Sequence, residues 1–426
     1  MLFRILALLG MANFLFAADK LNTGDTAWML ISTALVLFMT PAGLAMFYTG
    51  MTRAKNAVNT SAMVVGAFVI GFSAWIIAGY SLAFSSGNGF IGGLSNILLH
   101  GISWKELSGT YPTYVFVAFQ GMFAAITIAI AAGSAIERMK YSTWLIFSFL
   151  WVIIVYAPIA HMIWGGGFLM DRGALDFAGG TVVHMNGGLA GLVLAILLGK
   201  RKGYGKIAFK PMSVMLTSLG AAILWFGWFG FNAGSAFGAN EIAGLALLTT
   251  AFAPAIAAIT WIVLEYIVYK KMTLLGLASG IVAGLVGITP AAGFVDMIGS
   301  IIIGLGSSII AFWGVVWLKK KFGYDDALDA FGVHFLAGLY GALAVAFLAV
   351  KDPDLLWDSP LKATGSRMAQ FLVQLESVVI VGIYTAVATA IVYFISALIT
   401  KGARVDEETE TEGLDEAIHG ERAINL

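Results

Sequence analysis

Eleven long apolar runs constrain this chain more than any other feature. They fall near residues 27–49, 61–84, 113–136, 142–161 and 179–199, then 214–233, 243–268, 274–292, 296–318, 328–350 and 371–399. Each is about 20 residues or longer, enough to cross roughly 30 Å of hydrocarbon as helix. A backbone inside a bilayer finds no water, so every spanning segment must satisfy its own N–H and C=O groups. Long continuous runs do this as α-helices, whereas a membrane barrel would need alternating segments of about ten residues. The composition agrees: 60% of the residues are hydrophobic and 11% charged, against about 25% charged in soluble domains. The fold expected is therefore an all-α membrane protein of eleven transmembrane helices.

Charge fixes the expected direction. The ends of odd-numbered spans carry Arg53, Lys55, Arg138, Lys140, Lys200, Arg201, Lys202, Lys206, Lys210, Lys270, Lys271, Lys319, Lys320, Lys321, Lys401 and Arg404, and the tail adds Arg422. Opposite them stand only Lys20, Lys105, Arg172, Lys351, Lys362 and Arg367. Basic residues stay in the cytoplasm, so the N-terminus is expected outside and the C-terminus inside. The opening "MLFRILALLGMANFLFA", residues 1–17, has the short basic start, apolar stretch and small closing residue of a signal peptide. Residues 18–400 form the membrane domain, and 401–426 are an acidic tail that composition alone reads as solvated and partly disordered. Balanced charge (24 basic, 24 acidic) argues against a nucleic-acid partner, and with no cysteine there is no thiol chemistry or Cys-ligated metal site. Glycines at 276, 280 and 284 make a small-residue seam for close helix contact.

One segment occurs twice. "DFAGGTVVHMNGGLAG" (Asp176–Gly191) and "DALDAFGVHFLAGLYG" (Asp326–Gly341) both read Asp-x7-His-x3-Gly-Leu-x-Gly, in a chain with only five histidines. The copies open the fifth and tenth spans, so an offset of five makes them cross in opposite directions. That pattern predicts a 5+5 inverted repeat with one extra helix, and inverted repeats place their site where the halves meet. His184 and His334 are thus expected to approach each other. A metal shared by them is disfavoured, since two imidazoles without cysteine or a nearby carboxylate make a poor ligand set.

These stretches, with "VAFQGMFAAIT", "AHMIWGGGFL", "GWFGFNAGSA" and "EGLDEAIHGE" in order, resemble the ammonium transporter (Amt) family of the Amt/Rhesus superfamily, over residues 25 to 420. The resemblance implies a homotrimer, each subunit with its own pore, in the cell (inner) membrane. It implies an outer recruitment site at Phe119, Phe123, Trp164 and Ser235, where aromatic faces attract a small cation. Phe231 and Trp228 match pore-lining aromatics, and Phe231 with Phe119 is expected to gate the passage above the histidines. Asp176 reads as a cap for the fifth span whose charge also favours cations. Asp329 corresponds to a structural acid before the second histidine. His161 reads as interfacial packing, and Glu265 and Glu376 as hydrogen-bonding groups between helices.

The activity implied is transmembrane ammonium transport without an enzymatic step or cofactor. Ammonium bound at the aromatic site gives up a proton, NH3 crosses past the histidines, and the proton follows separately. An intact ion would suffer a large desolvation penalty in the pore, and neutral NH3 little. The rival readings are an electroneutral Rhesus-like NH3 channel and an ammonium sensor signalling through the tail. The tail's resemblance further implies docking of a PII-type regulatory protein.

Overall fold

The computed structural model describes residues 20–350 and 364–424. The expected signal peptide, 1–17, lies outside these residues, as do Lys351 and Lys362 of the charge count. Ten described helices are long and apolar enough to span a membrane. They are α1 (Thr23–Met51), α2 (Ala54–Phe84), α3 (Thr113–Ala135), α4 (Tyr141–Asp171), α5 (Gly180–Leu198), α6 (Val214–Ala233), α7 (Glu241–Tyr269), α9 (Met297–Phe322), α10 (Phe331–Leu348) and α11 (Arg367–Ile399). The remaining apolar run forms α8, Leu274–Ile288, only 15 residues long, because its helix ends in turns from Thr289 onward.

Helix starts follow the local sequence. Asn22, Ser213, Asn240, Thr273, Asp296 and Ser366 each accept a backbone N–H at the first turn of α1, α6, α7, α8, α9 and α11, satisfying donors a helix start leaves unpaired. α11 shows how the bundle treats its surroundings. Its exposed side includes Leu372, Val379, Ile383, Val387 and Ile391, and its buried side includes Gln370, Gln374, Thr385 and Thr389. Apolar outside and polar inside reverses the pattern of a soluble helix, as expected where the solvent is lipid. The glycine seam of α8 lies against α7: a Cβ on Gly280 would meet the Ala258 Cα at 2.8 Å, and one on Gly284 the Pro254 Cα at 2.6 Å.

The base-rich loops meet on one side, called here the tail face. Buried Glu137 accepts from Arg53 and from Arg201 Nη1 at 2.9 Å, and Arg201 also pairs with buried Asp325 at 2.8 Å. The expectation of a loose tail is corrected here. Arg404 binds Glu410 at 2.7 Å and donates to the Leu198 and Lys200 carbonyls. Glu410 also accepts from the Lys202 N–H at 2.7 Å, and Asp415 accepts the Val58 and Asn59 N–H groups at the start of α2. Leu414, Glu410 and Asp415 are buried. The acidic residues read as a solvated run because, Arg404 apart, the groups Glu410 and Asp415 dock against lie more than 200 residues away.

Candidate functional site

α5 and α10 both begin with a π-helical turn, Gly180–Met185 and Phe331–Leu336. Each turn is held by a buried aspartate from the motif. Asp176 accepts four backbone N–H groups, from Gly179, Gly180, Thr181 and Val182, at 2.6–3.0 Å. Asp326 accepts from Ala330 and Phe331 at 3.2 and 2.8 Å and from the Ser134 hydroxyl at 2.7 Å. The fixed spacing from aspartate to histidine thus has a mechanical meaning: the carboxylate pins the turn on which the imidazole is mounted.

The next spacing, His-x3-Gly, sets how closely the two helices cross. One turn beyond each histidine a side chain would collide with the other helix. A Cβ on Gly188 would stand 2.6 Å from the Phe335 nitrogen, and one on Gly338 would stand 2.9 Å from the Gly180 carbonyl oxygen and 3.3 Å from the His184 Cβ. With glycine at both places the histidines meet, Nδ1 to Nδ1 at 3.3 Å, their rings inclined by 22°. Both are buried. A contact between two Nδ1 atoms needs one donor and one acceptor, so the two rings carry opposite tautomers. His184 Nε2 is buried with no hydrogen-bond partner among the described residues.

Aromatic rings wall the approach to the pair. Trp228 lies on His184 with centroids 5.2 Å apart, fixed by its indole N–H donating to Thr289 Oγ1 at 2.9 Å. Phe231 stands 5.7 Å from His184 and stacks on Phe123 at 4.2 Å. A cavity of about 330 Å³ opens on the face opposite the tail, lined by Phe123, Trp164, Ser235, Phe116, Gln120 and Phe237 among others. Asp176 edges it, while the Trp164 indole donates to the Asp176 carbonyl at 2.8 Å. Ser235 donates its hydroxyl to the Phe231 carbonyl at 2.8 Å, leaving its oxygen free to accept. A second cavity of about 220 Å³ reaches His334 from the tail face, with Trp261, Glu265 and Asp329 on its wall. The order through the protein is therefore vestibule, Phe123–Phe231 pair, His184, His334, vestibule.

Most of the residues singled out in the sequence meet along this line, with one correction. Phe119 is fully buried behind Phe123, with centroids 4.9 Å apart, and does not line the vestibule. The stack that closes the passage accordingly joins Phe231 to Phe123, not to Phe119. The residues at 119 and 123 share a helix face, so spacing could not rank them; the approach of α6 does. The Asp329 carboxylate, nearer in sequence to the second histidine, takes no part in holding the turn. It is partly exposed and ion-paired with Lys319 at 2.7 Å, while Asp326 holds the turn. The repeat itself pointed to Asp326. Phe116, Gln120, Phe237 and Thr289 were not singled out in the sequence, since no spacing or repeat marks them. His161 packs between the Ala83 and Asn88 carbonyls at 2.8 Å, Glu376 pairs with Arg172, and Glu265 accepts from Thr273. Among the described residues no three His, Asp or Glu side chains gather as a metal site would require.

Fold and passage together define a multi-pass helical membrane protein with a narrow apolar route, interrupted by paired imidazoles, between two vestibules. The profile of the Ammonium Transporter Family matches residues 27–424. The chain is 48% identical to an ammonium transporter of Aquifex aeolicus over 97% of each chain. It is 43% identical to one of Bacillus subtilis, covering 95% of this chain and 99% of that protein. Among solved structures, Saccharomyces cerevisiae Mep2 superposes with a TM-score of 0.83 at 35% identity over 92% of both chains. The chain belongs to the ammonium transporter family.

Proposed function

We propose that the protein moves ammonium from the far vestibule to the tail face as an eleven-span subunit. In this reading α8 with the turns after it counts as a span, α1–α5 and α6–α10 are inverted halves, and α11 is the extra helix. The far face lies outside the cell (inner) membrane and the tail in the cytoplasm, in keeping with the bases gathered on the tail face. The homotrimer and the PII-type regulator on the tail face are carried over from the family resemblance.

Phe123, Trp164 and Ser235 recruit NH4+, with Phe119 supporting Phe123 from behind. The ring faces attract the cation, and the Ser235 oxygen accepts one of its N–H groups. The ion cannot follow into the apolar passage without heavy desolvation cost, so it leaves a proton and enters as NH3. Phe123 and Phe231 swing aside for a molecule of that size. Trp228 keeps the His184 ring flat against the route. The proton crosses through the imidazole pair: His184 Nε2 takes up a proton, the proton between the Nδ1 atoms passes from His184 to His334, and the proton on His334 Nε2 leaves, so both rings stay neutral and exchange tautomers. Potassium has no proton to give up, which excludes it where size would not. Asp176 and Asp326 act by holding the turns, and Asp329 by its pairing with Lys319.

The observation that carries this reading is a pair of imidazoles 3.3 Å apart, buried between aromatic rings and reached from both faces by cavities. Ammonium-evoked current in proteoliposomes tests it with wild type, His184→Ala and Trp164→Ala. Wild type should give inward current, His184→Ala little or none, and Trp164→Ala a half-saturating concentration raised about fivefold, the worth of roughly 1 kcal/mol of cation–ring attraction. Unchanged currents in both variants refute the assignment. Ammonium-dependent flux without charge movement would instead support the electroneutral channel.

A further inference from the structure

The tail-side vestibule contains two carboxylates in different circumstances. Asp329 is neutralised by Lys319 at 2.7 Å. Glu265, on the last turns of α7, has no basic partner among the described residues. Its oxygens accept only from Thr273, from the N–H at 2.9 Å and from the hydroxyl at 3.0 and 3.1 Å. A carboxylate offers about four lone-pair sites, so accepting capacity remains. Its position depends on a missing side chain: a Cβ on Gly276 would fall 2.3 Å from the carboxyl carbon and from both oxygens. Trp261 lies one helical turn earlier on the same face of α7 and lines the same cavity. Deeper in that cavity stands His334, 4% exposed, its Nδ1 engaged with His184 and its Nε2 without a protein hydrogen bond among the described residues.

Resting on the transport reading above, we propose that Glu265 and Trp261 form a cation-binding station where ammonium is re-formed and held before release. NH3 leaving the passage takes the proton on His334 Nε2; that N–H bond breaks as one to ammonia forms, while His334 Nδ1 receives the shared proton from His184, so the ring stays neutral. The new cation sits in a small, partly apolar space where it needs a counter-charge. Glu265 supplies that charge and Trp261 a ring face. Thr273 and Gly276 are positioning residues, the first holding the carboxylate and the second leaving room for it. The competing account is that Glu265 merely locks the turn between α7 and α8. Glu265→Gln separates the two, since an amide oxygen still accepts from Thr273 while the charge is gone.

The test compares ammonium-evoked currents of wild type, Glu265→Gln, Glu265→Asp and Gly276→Ala in proteoliposomes, with ammonium supplied from the far face. The saturating current should fall about fivefold in Glu265→Gln and about twofold in Gly276→Ala, with half-saturating concentration nearly constant because capture on the far face is untouched. Glu265→Asp, which keeps the charge, should retain at least about half the current. Full current in Glu265→Gln, or equal losses in the Gln and Asp variants, overturns the proposal. Should the variants fail to fold, crystals of wild type soaked in thallium(I), an ammonium-sized cation, read the site directly. An anomalous peak beside Glu265 supports it, and its absence overturns it. Failure of the transport reading is distinct: wild type would carry no ammonium current at all.

Discussion

Asp176 and Asp326 do similar work on opposite faces, and the consequences belong to single residues. Asp176 spends both oxygens on four backbone N–H groups, which a neutral or shorter side chain cannot satisfy. Asp176→Ala should lower stability by about 3 kcal/mol, since bonds to a charged acceptor are worth roughly 1.5–3 kcal/mol each and water replaces some of them. Asp326→Ala should cost nearly as much, while Asp329→Ala, removing only a partly exposed ion pair, should cost under about 1 kcal/mol. Thermal unfolding in detergent ranks the three, and equal effects at 326 and 329 would contradict the assignment of the turn to Asp326. The residue scale is also where sequence was least decisive. Phe119 and Phe123 are the same amino acid one turn apart, and only the stacking of Phe231 on Phe123 distinguishes gate from backing.

At the scale of elements, glycine positions set how closely helices approach. Gly280 faces backbone of α7, with the Ala258 Cα 2.8 Å and the Ala257 carbonyl 3.0 Å from where a Cβ would stand. Gly280→Ala should therefore force α7 and α8 apart and cost about 1–3 kcal/mol, as overpacking does. Gly244, also helical, has nothing within 4 Å of a Cβ. Gly244→Ala should be neutral or stabilise by up to about 1 kcal/mol, through helix propensity alone. Unfolding midpoints of both variants check the contrast, which opposite signs would establish. The helices themselves were legible because membrane-length apolar runs leave the backbone few alternatives. The break in the eighth run carried a local signal, Pro290 and Gly293 after Thr289, which the apolar length of the run masked.

Across the whole molecule, a charged layer ties four loops and the tail together on one face. Burial by itself would raise the Glu137 carboxyl, but Arg201 and Arg53 beside it hold it down at about 2. A carboxylate depressed in the folded state contributes stability that is complete above its ordinary value near 4.5 and is lost as pH falls toward 2. The size is about 3 kcal/mol. Wild type should thus lose more thermal stability than Glu137→Gln between pH 5 and pH 2, and parallel losses would exclude the pairing as a stabiliser. At neutral pH, Arg201→Ala, which leaves buried Asp325 without its ion pair and Glu137 with Arg53 alone, should cost about 3–5 kcal/mol. Hydrophobic length and residue spacing are local and one-dimensional, so the helices, the number of apolar runs and the two copies of the motif could be read along the chain. That the imidazoles touch, that Phe123 and not Phe119 meets Phe231, that Asp326 holds the second turn, and that the acidic tail is docked emerge from the folded arrangement alone. Each of these depends on which atoms of distant segments share a few ångströms, and burial, pairing and desolvation act only at that range.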